Sequence, residues 1–309
     1  MTQPTLIVII GPTAIGKTEL CIELAESLNT EIISADSRQI YNELNVGTAK
    51  PSEKELKRVP HHFIGKKSIH DYYTAGMFEL DVLELLENLF NKHNQIIMTG
   101  GSGLYINAVC EGIDALPRVD PEIRNKLIEQ YENEGIQSLR HDLKRLDPEY
   151  YEVADLKNPK RLLKALEITV MTGKPYSSFL TRPKKERPFN ILKIGLNKDR
   201  EELYDNINMR VDEMIDNGLL EEAKKLYKHK GLNALNTVGY KELFEYLDDT
   251  ITFKRAIELI KRNTRRYAKR QLTWFSKDEE IKWFHPDEKK KILEYIQQYL
   301  GTFRSKGKP

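Results

Sequence analysis

The sequence predicts an α/β fold: a P-loop NTPase-like parallel sheet flanked by helices, with an all-helical domain inserted between its strands. Three observations carry this. A short β-branched apolar run, Leu6–Ile10, leads straight into Gly11-Pro12-Thr13-Ala14-Ile15-Gly16-Lys17-Thr18, the spacing of a phosphate-binding loop. Further short apolar runs at 31–35 and 95–98 each end in turn-forming residues, with helical periodicity between them. From Gly112 the strand pattern stops and resumes only at Phe189.

The loop comes first in the chain and in the argument. Its glycines let backbone N–H groups close round an anion, Lys17 adds a point charge, and the Thr18 hydroxyl suits Mg²⁺. The helix that follows repeats apolar residues at Leu20, Leu24 and Leu28 and turns its N-terminal N–H groups and dipole toward the same anion. A phosphorylated ligand is therefore expected, with its identity open.

Composition bounds the rest. The 309 residues suffice for one large domain or two smaller ones, and 39% hydrophobic with 31% charged residues describes a globular chain. No apolar run approaches the ~18 residues that a membrane span needs. The first strand starts too near the N-terminus for a signal peptide, so a cytoplasmic protein is expected. Two cysteines, Cys21 and Cys110, with no CxxC spacing, are read as small buried hydrophobes. A net charge of +2 leaves nucleic-acid binding to local clustering alone.

After the second strand, 31–35, comes Asp36-Ser37-Arg38-Gln39. A carboxylate at the C-terminal end of a strand beside a phosphate loop stands where open α/β sheets bind ligands. It serves there as a Mg²⁺ ligand or a general base, or else caps the turn. Lys50, in Gly47-Thr-Ala-Lys-Pro51, is placed to reach a phosphate, or is simply solvated. His61 and His62 are adjacent, point to opposite sides and are assigned no metal. An amphipathic helix is expected over 75–91, then the strand 95–98 and a second glycine-rich turn, Thr99-Gly-Gly-Ser-Gly103.

The inserted segment, 113–188, opens helices at Asp120-Pro121 and Asn158-Pro159, each with proline at the first helical position, and ends them at Gly135 and Gly173. Lys160, Arg161 and Lys164, and the loop basics Arg182, Lys184, Lys185 and Arg187, suggest a polyanion or a solvated face. The sheet resumes at Phe189–Gly195. A capping-box-like start at Asp199 and Glu202 opens a helix to Gly218 that carries Arg210, aimed into a cleft or paired with Asp212 or Glu213. A helix over 219–230 follows. A long helix over 252–276 carries six cations between Lys261 and Arg270, with Tyr267 and Trp274 interleaved. An edge strand at 281–284, a helix from Pro286 to Leu300 and a basic tail complete the chain.

Taken together, these motifs resemble the tRNA dimethylallyltransferase (IPP transferase) family. The matching stretches are Gly11–Thr18, Ser34–Tyr41, Gly47–Pro51, Gly100–Tyr105, Asp120–Arg124, Asn158–Leu166, Val238–Lys241 and Ala268–Phe275, in order through nearly the whole chain. The resemblance implies transfer of a dimethylallyl group from dimethylallyl diphosphate to the exocyclic amine of the adenosine just 3′ of the anticodon, in tRNAs reading codons that begin with U. It implies that the P-loop residues hold the donor's diphosphate with Mg²⁺ on Thr18. Asp36 would be the general base, with Lys17, Thr18, Ser102 and Arg210 completing the catalytic set. Asp36, Ser37, Arg38, Gln39, Ser102, Arg124 and the run Lys160-Arg161-Leu162-Leu163-Lys164 would meet the tRNA anticodon stem-loop. Residues 1–112 with 189–309 would form the catalytic core and 113–188 the tRNA-gripping insertion, with no membrane and no obligate protein partner. Ser102 stands where the family usually has threonine, and Ile15 where its loop often has serine. A C-terminal zinc finger is absent, as in bacterial-type members. A P-loop small-molecule kinase, an adenylate isopentenyltransferase and a non-catalytic RNA-binding protein remain alternatives.

Overall fold

The computed structural model describes residues 3–114, 116–117, 120–181 and 185–305, with side chains described through residue 301. β1 (Thr5–Ile10) is buried at all six positions. A strand covered on both faces has no reason to alternate, which is why its sequence is continuously apolar. β2 (Ile32–Ser34), β3 (His61–His62), β4 (Gln95–Gly100), β5 (Asn190–Leu196) and β6 (Lys282–Phe284) join it in the order β3-β2-β4-β1-β5-β6. Every pairing is parallel.

Parallel neighbours need crossovers. These are supplied on the N-terminal side by α1 (Lys17–Leu28), α2 (Glu53–Arg58), α3 (Ala75–Phe90) and α4 (Gly103–Glu111). Ser52 opens α2 with a full capping box to Glu55, and Thr74 caps α3 through Met77 N–H. The parallel register sets Thr99 beside both Ile9 and Ser34. The C-terminal ends of β1, β2 and β4 therefore share one edge, and the segments leaving them are the P-loop, the Asp36 turn and the second glycine-rich turn.

The chain divides into two compact units: Met1–Cys110 with Glu186–Pro309, and Glu111–Lys185. The second consists of α5 (Pro121–Glu134), α6 (Ile136–Leu146), α7 (Pro148–Val153), α8 (Pro159–Thr172) and a short 3-10 turn, Tyr176–Phe179. Its core is Leu127, Leu139, Leu143, Leu162, Leu163, Ala165 and Leu166. Asp147 is fully buried; it caps α7 through Tyr150 N–H and accepts from Ser177 N and Oγ at 2.7 and 2.8 Å. Burying a carboxylate is tolerable because its oxygens are hydrogen-bonded.

The first unit continues with α9 (Arg200–Asp216), α10 (Leu219–Leu226), α11 (Tyr240–Leu247), α12 (Phe253–Phe275) and α13 (Lys289–Ser305). Ile7, Ile9, Leu20, Leu24, Ile194, Ile207, Ala268 and Ile292 form one buried cluster that ties β1, β5, α1, α9, α12 and α13.

Several expectations need correction. Asp199 caps α9 through Glu201 N–H, but Glu202 turns to Lys198 at 3.4 Å, so no capping box forms. The expected 219–230 helix stops at Leu226 and tightens into a 3-10 turn, Tyr227–His229. α13 begins at Lys289 rather than Pro286 and runs past Leu300, so the tail from Gly301 continues it through Ser305; residues 306–309 lie outside the described part. His61 and His62, unassigned to any element from sequence, form β3; His62 Nε2 meets Glu31 at 2.6 Å. Cys21 and Cys110 are both buried. No described helix is long and apolar enough to cross a membrane.

Candidate active site

The P-loop includes backbone conformations that L residues rarely adopt. Gly16, the N-cap of α1, sits at φ +93° and Ala14 at φ +62°. Glycine takes the first without penalty, and the loop can then deliver the unpaired N–H groups of the first turn of α1 to one point. Ile15 is buried and packs in the core cluster. Lys17 Nζ folds back to donate to Gly11 O and Pro12 O at 2.9 and 2.8 Å. Burial, followed by the charge of Arg210, lowers its pKa to about 8.

A cavity of about 320 Å³ opens beyond the loop, lined by Thr13, Gly16, Lys17, Thr18, Ser34, Asp36, Gln39, Thr99, Gly101, Arg210, Tyr267 and Gln271. Asp36 Oδ1 accepts the N–H groups of Arg38 and Gln39 at 2.8 and 3.2 Å. The residue thus caps its turn and still presents Oδ2, which meets no hydrogen-bond donor among the described residues. The two sequence readings of Asp36, cap and reactive carboxylate, are compatible because they use different oxygens. Arg210 enters from α9; burial lowers its pKa, while Asp36 and then Glu213 act in the opposite direction. Asp212, one of its suggested partners, pairs instead with Lys261 at 2.6 Å.

Ser102 holds the Asp36 turn from the other side: its Oγ accepts from Ser37 N–H at 2.9 Å and lies 3.2 Å from Ser37 Oγ. Gln39 is spent inside the protein. Its Oε1 accepts from Ser34 Oγ, and its Nε2 donates to Thr48 O and Ala49 O. Lys50 does not stand free; its Nζ bonds Asn42 O and Asn45 Oδ1 at 3.2 and 3.1 Å and closes its own loop. Arg38 is partly buried beside this turn.

In the second unit Arg124, Lys160 and Arg161 are exposed and Lys164 is partly buried. Burial lowers the Lys164 pKa, with Glu167 opposing. Leu162 and Leu163 do not face outward with them: they are 0% and 9% exposed and belong to the helical core, because helical geometry turns positions inside a basic run to the other face. Of the loop basics, Arg182 and Lys184 lie outside the described residues. Arg187 is not available to a polyanion. It is buried in the first unit, 2.8 Å from Glu79, and donates to Val109 O and Ala108 O.

Tyr267 and Gln271, both from α12, line this cavity; the sequence marks Tyr267 only as an aromatic among the cations of its helix and gives Gln271 no role. Burial, then the nearby Asp36 charge, pushes the Tyr267 phenol up to about 12, so it stays protonated. The buried positions of α12 are Ala256, Ile260, Ala268, Gln271 and Phe275. One uncharged polar residue on an otherwise apolar stripe was the available signal. Among the described residues no group of three or more His, Cys, Asp or Glu side chains could hold a metal ion. The hard oxygens at the cavity include the Thr18 hydroxyl and the Asp36 carboxylate, with the carboxylates of Glu19 and Glu55 also on its lining. Few protein oxygens plus the phosphates of a ligand is how Mg²⁺ is commonly held, so the donor set fits that ion.

Fold and loop define a P-loop-like α/β protein with an anion cradle facing a carboxylate across one cavity. Comparison with known proteins narrows the class. Residues 39–278 match the model of the IPP transferase family. The chain is 57% identical over 297 residues to tRNA dimethylallyltransferase 1 of Bacteroides fragilis, covering 96% of this chain and 99% of that protein. It is 57% identical over 298 residues to the tRNA dimethylallyltransferase of Christiangramia forsetii, with 96% and 99% covered. Among solved structures it is similar to the full-length tRNA isopentenylpyrophosphate transferase of Bacillus halodurans, at TM-score 0.73 and 36% identity, covering 98% of this chain and 99% of that one. A eukaryotic dimethylallyltransferase acting on tRNA matches at TM-score 0.75 and 27% identity, with 92% and 74% covered. The chain belongs to the IPP transferase family, and its enzyme class is that of the prenyl-transferring tRNA dimethylallyltransferases.

Proposed function

We propose that this chain transfers the dimethylallyl group of dimethylallyl diphosphate to N6 of the adenosine 3′ to the anticodon, in tRNAs reading codons that begin with U. The observation that supports it most is the single cavity lined by Lys17, Arg210 and Asp36, the last with its Oδ2 unengaged among the described residues.

The chemistry follows from the charges. The C1–O bond of the donor breaks with its electron pair going to the diphosphate. Lys17, Arg210 and the N-terminal amides of α1 are aimed at that developing charge. The N6–C1 bond forms as the carbon becomes cation-like, and one N6 proton passes to Asp36, a carboxylate suited to general-base work. Mg²⁺, held through Thr18, would neutralise diphosphate charge. The adenine leaves its stack to reach the cavity, which costs less in a single-stranded loop than in a duplex. Arg124, Lys160, Arg161 and Lys164 of the helical unit are the tRNA contacts in this reading, with Ser37, Arg38 and Ser102 beside the acceptor base. Gln39, with its side chain engaged internally, positions Asp36 instead. The tRNA pool places the reaction in the cytoplasm.

The test is incubation with labelled dimethylallyl diphosphate, Mg²⁺ and unmodified tRNA, then nucleoside analysis. Label on N6 of that one adenosine is expected. No label in RNA overturns the proposal. Phosphoryl transfer from ATP would favour a kinase, label on free adenylate an adenylate isopentenyltransferase, and RNA binding with no transfer a non-catalytic binder.

A further inference from the structure

α12 reaches both glycine-rich turns through one side chain. Gln271 is 6% exposed. Its Oε1 accepts the Thr13 N–H of the P-loop at 2.9 Å, and its Nε2 donates to Gly101 O of the second turn, also at 2.9 Å. The partners lie 258 and 170 residues away in sequence. A Cβ built on Gly101 would stand 2.1 Å from Gln271 Nε2, so the second turn closes directly onto the amide.

The P-loop borders one hollow, and the second turn borders that hollow and a further one. One is the 320 Å³ cavity that holds Lys17 and Thr18. The other, of about 280 Å³, is lined by Ser37, Ser102, Leu104, Trp274 and their neighbours. Gly101, Tyr267 and Gln271 are common to both. Packing alone would favour an aliphatic side chain here, since a buried amide costs free energy unless both ends are bonded. Here both ends are bonded, each to the backbone of a different loop.

We propose that Gln271 is a positioning residue that ties the donor-holding loop to the acceptor-side turn, so that filling one hollow strengthens binding in the other. The inference rests on the prenyl-transfer reading for what the hollows contain. An anion in the P-loop orders Thr13. Gln271 carries that ordering to Gly101, and through Ser102 it reaches the Asp36 turn. Coupling of this kind is reciprocal, and values of ~5- to 150-fold are typical.

The experiment measures the dissociation constant of inorganic diphosphate, with Mg²⁺, in the absence and presence of a saturating unmodified anticodon stem-loop. For the native chain, diphosphate should bind at least ~5-fold more tightly with the RNA present. Gln271→Met, close in shape but without hydrogen-bonding groups, should bring that ratio near one, while each ligand alone loses less than the ratio does. Gln271→Glu keeps the acceptor for Thr13 N–H and removes the donor to Gly101 O. Gly101→Ala presses on the amide from the opposite side. Both should reduce the ratio as well, and either serves if the Met variant does not fold. A native ratio of one, or an undiminished ratio in the folded variants, overturns the inference. Native label transfer to tRNA with that result leaves the prenyl-transfer reading standing; absence of transfer removes that reading on separate grounds.

Discussion

Lys17 is where charge and environment conflict most openly. Burial, and then the neighbouring charge of Arg210, lower the pKa of its ammonium to about 8, although backbone carbonyls accept its protons. A bound diphosphate favours the charged form, so binding above pH 8 must take up a proton. The Lys17-dependent part of diphosphate affinity, taken as the difference between the native chain and Lys17→Met, should therefore be flat from pH 6 to 7 and fall toward tenfold per pH unit above about 8. Titration calorimetry in buffers of different ionisation enthalpy checks this, and Lys17→Met should bind weakly and supply the reference slope. In the free protein the sign is opposite. The folded state holds fewer protons than the unfolded between about 8 and 10.5, so Lys17 by itself makes stability rise with pH there. Asp36 makes a second residue-scale prediction. Because Oδ1 caps the turn, Asp36→Asn retains an acceptor for Arg38 and Gln39 while losing the base. Turnover should drop by about 10²–10⁴ with the melting temperature and diphosphate affinity nearly unchanged. A matching loss of diphosphate affinity would make Asp36 a metal ligand instead.

At the scale of elements, the loop 45–51 shows how one carboxylate shapes a segment. Glu222 of α10 accepts from the backbone N–H groups of Asn45, Val46 and Gly47, each at 2.9 Å, and from Tyr240 Oη of α11 at 2.6 Å. Gly47 lies so close to the Tyr240 ring that a Cβ would stand 2.6 Å from it. The loop carries Thr48 O and Ala49 O, which hold Gln39, whose own N–H meets Asp36. Glu222→Gln replaces an accepting oxygen by an N–H donor and leaves at least one loop N–H without an acceptor. A loss of about 1–3 kcal/mol in urea unfolding is expected, with Tyr240→Phe losing less. Equal loss from the two variants would mean that the phenol, not the amide nest, supports the loop. None of this was legible in Gly47-Thr-Ala-Lys-Pro51 read alone. Turn chemistry was visible there, but its anchor comes from helices more than 170 residues away.

At the scale of the whole molecule, a net charge of +2 supplies no general attraction for RNA, so tRNA binding must come from clusters. Replacing Lys160 and Arg161, both exposed, by alanine should weaken tRNA binding and lower the slope of log K against log salt by up to ~0.7–0.9 per lost contact, read by filter binding across a salt series. An unchanged slope would make them solvated charges. Arg187 shows why a count of basic residues misleads: buried against Glu79, it serves the first unit's interior.

Local chemistry made much of this protein readable in one dimension. The anion loop, the apolar core strands, the proline-started helices at 121 and 159 and their glycine stops all arise from interactions within a few residues, which sequence order preserves. The order of the strands, the inward turn of Arg210, the burial of Leu162 and Leu163, the Glu222 nest and the Gln271 tie were decided only when the sheet closed. Each depends on groups that are distant along the chain, and side-chain type alone does not say which backbone a buried amide or carboxylate will meet.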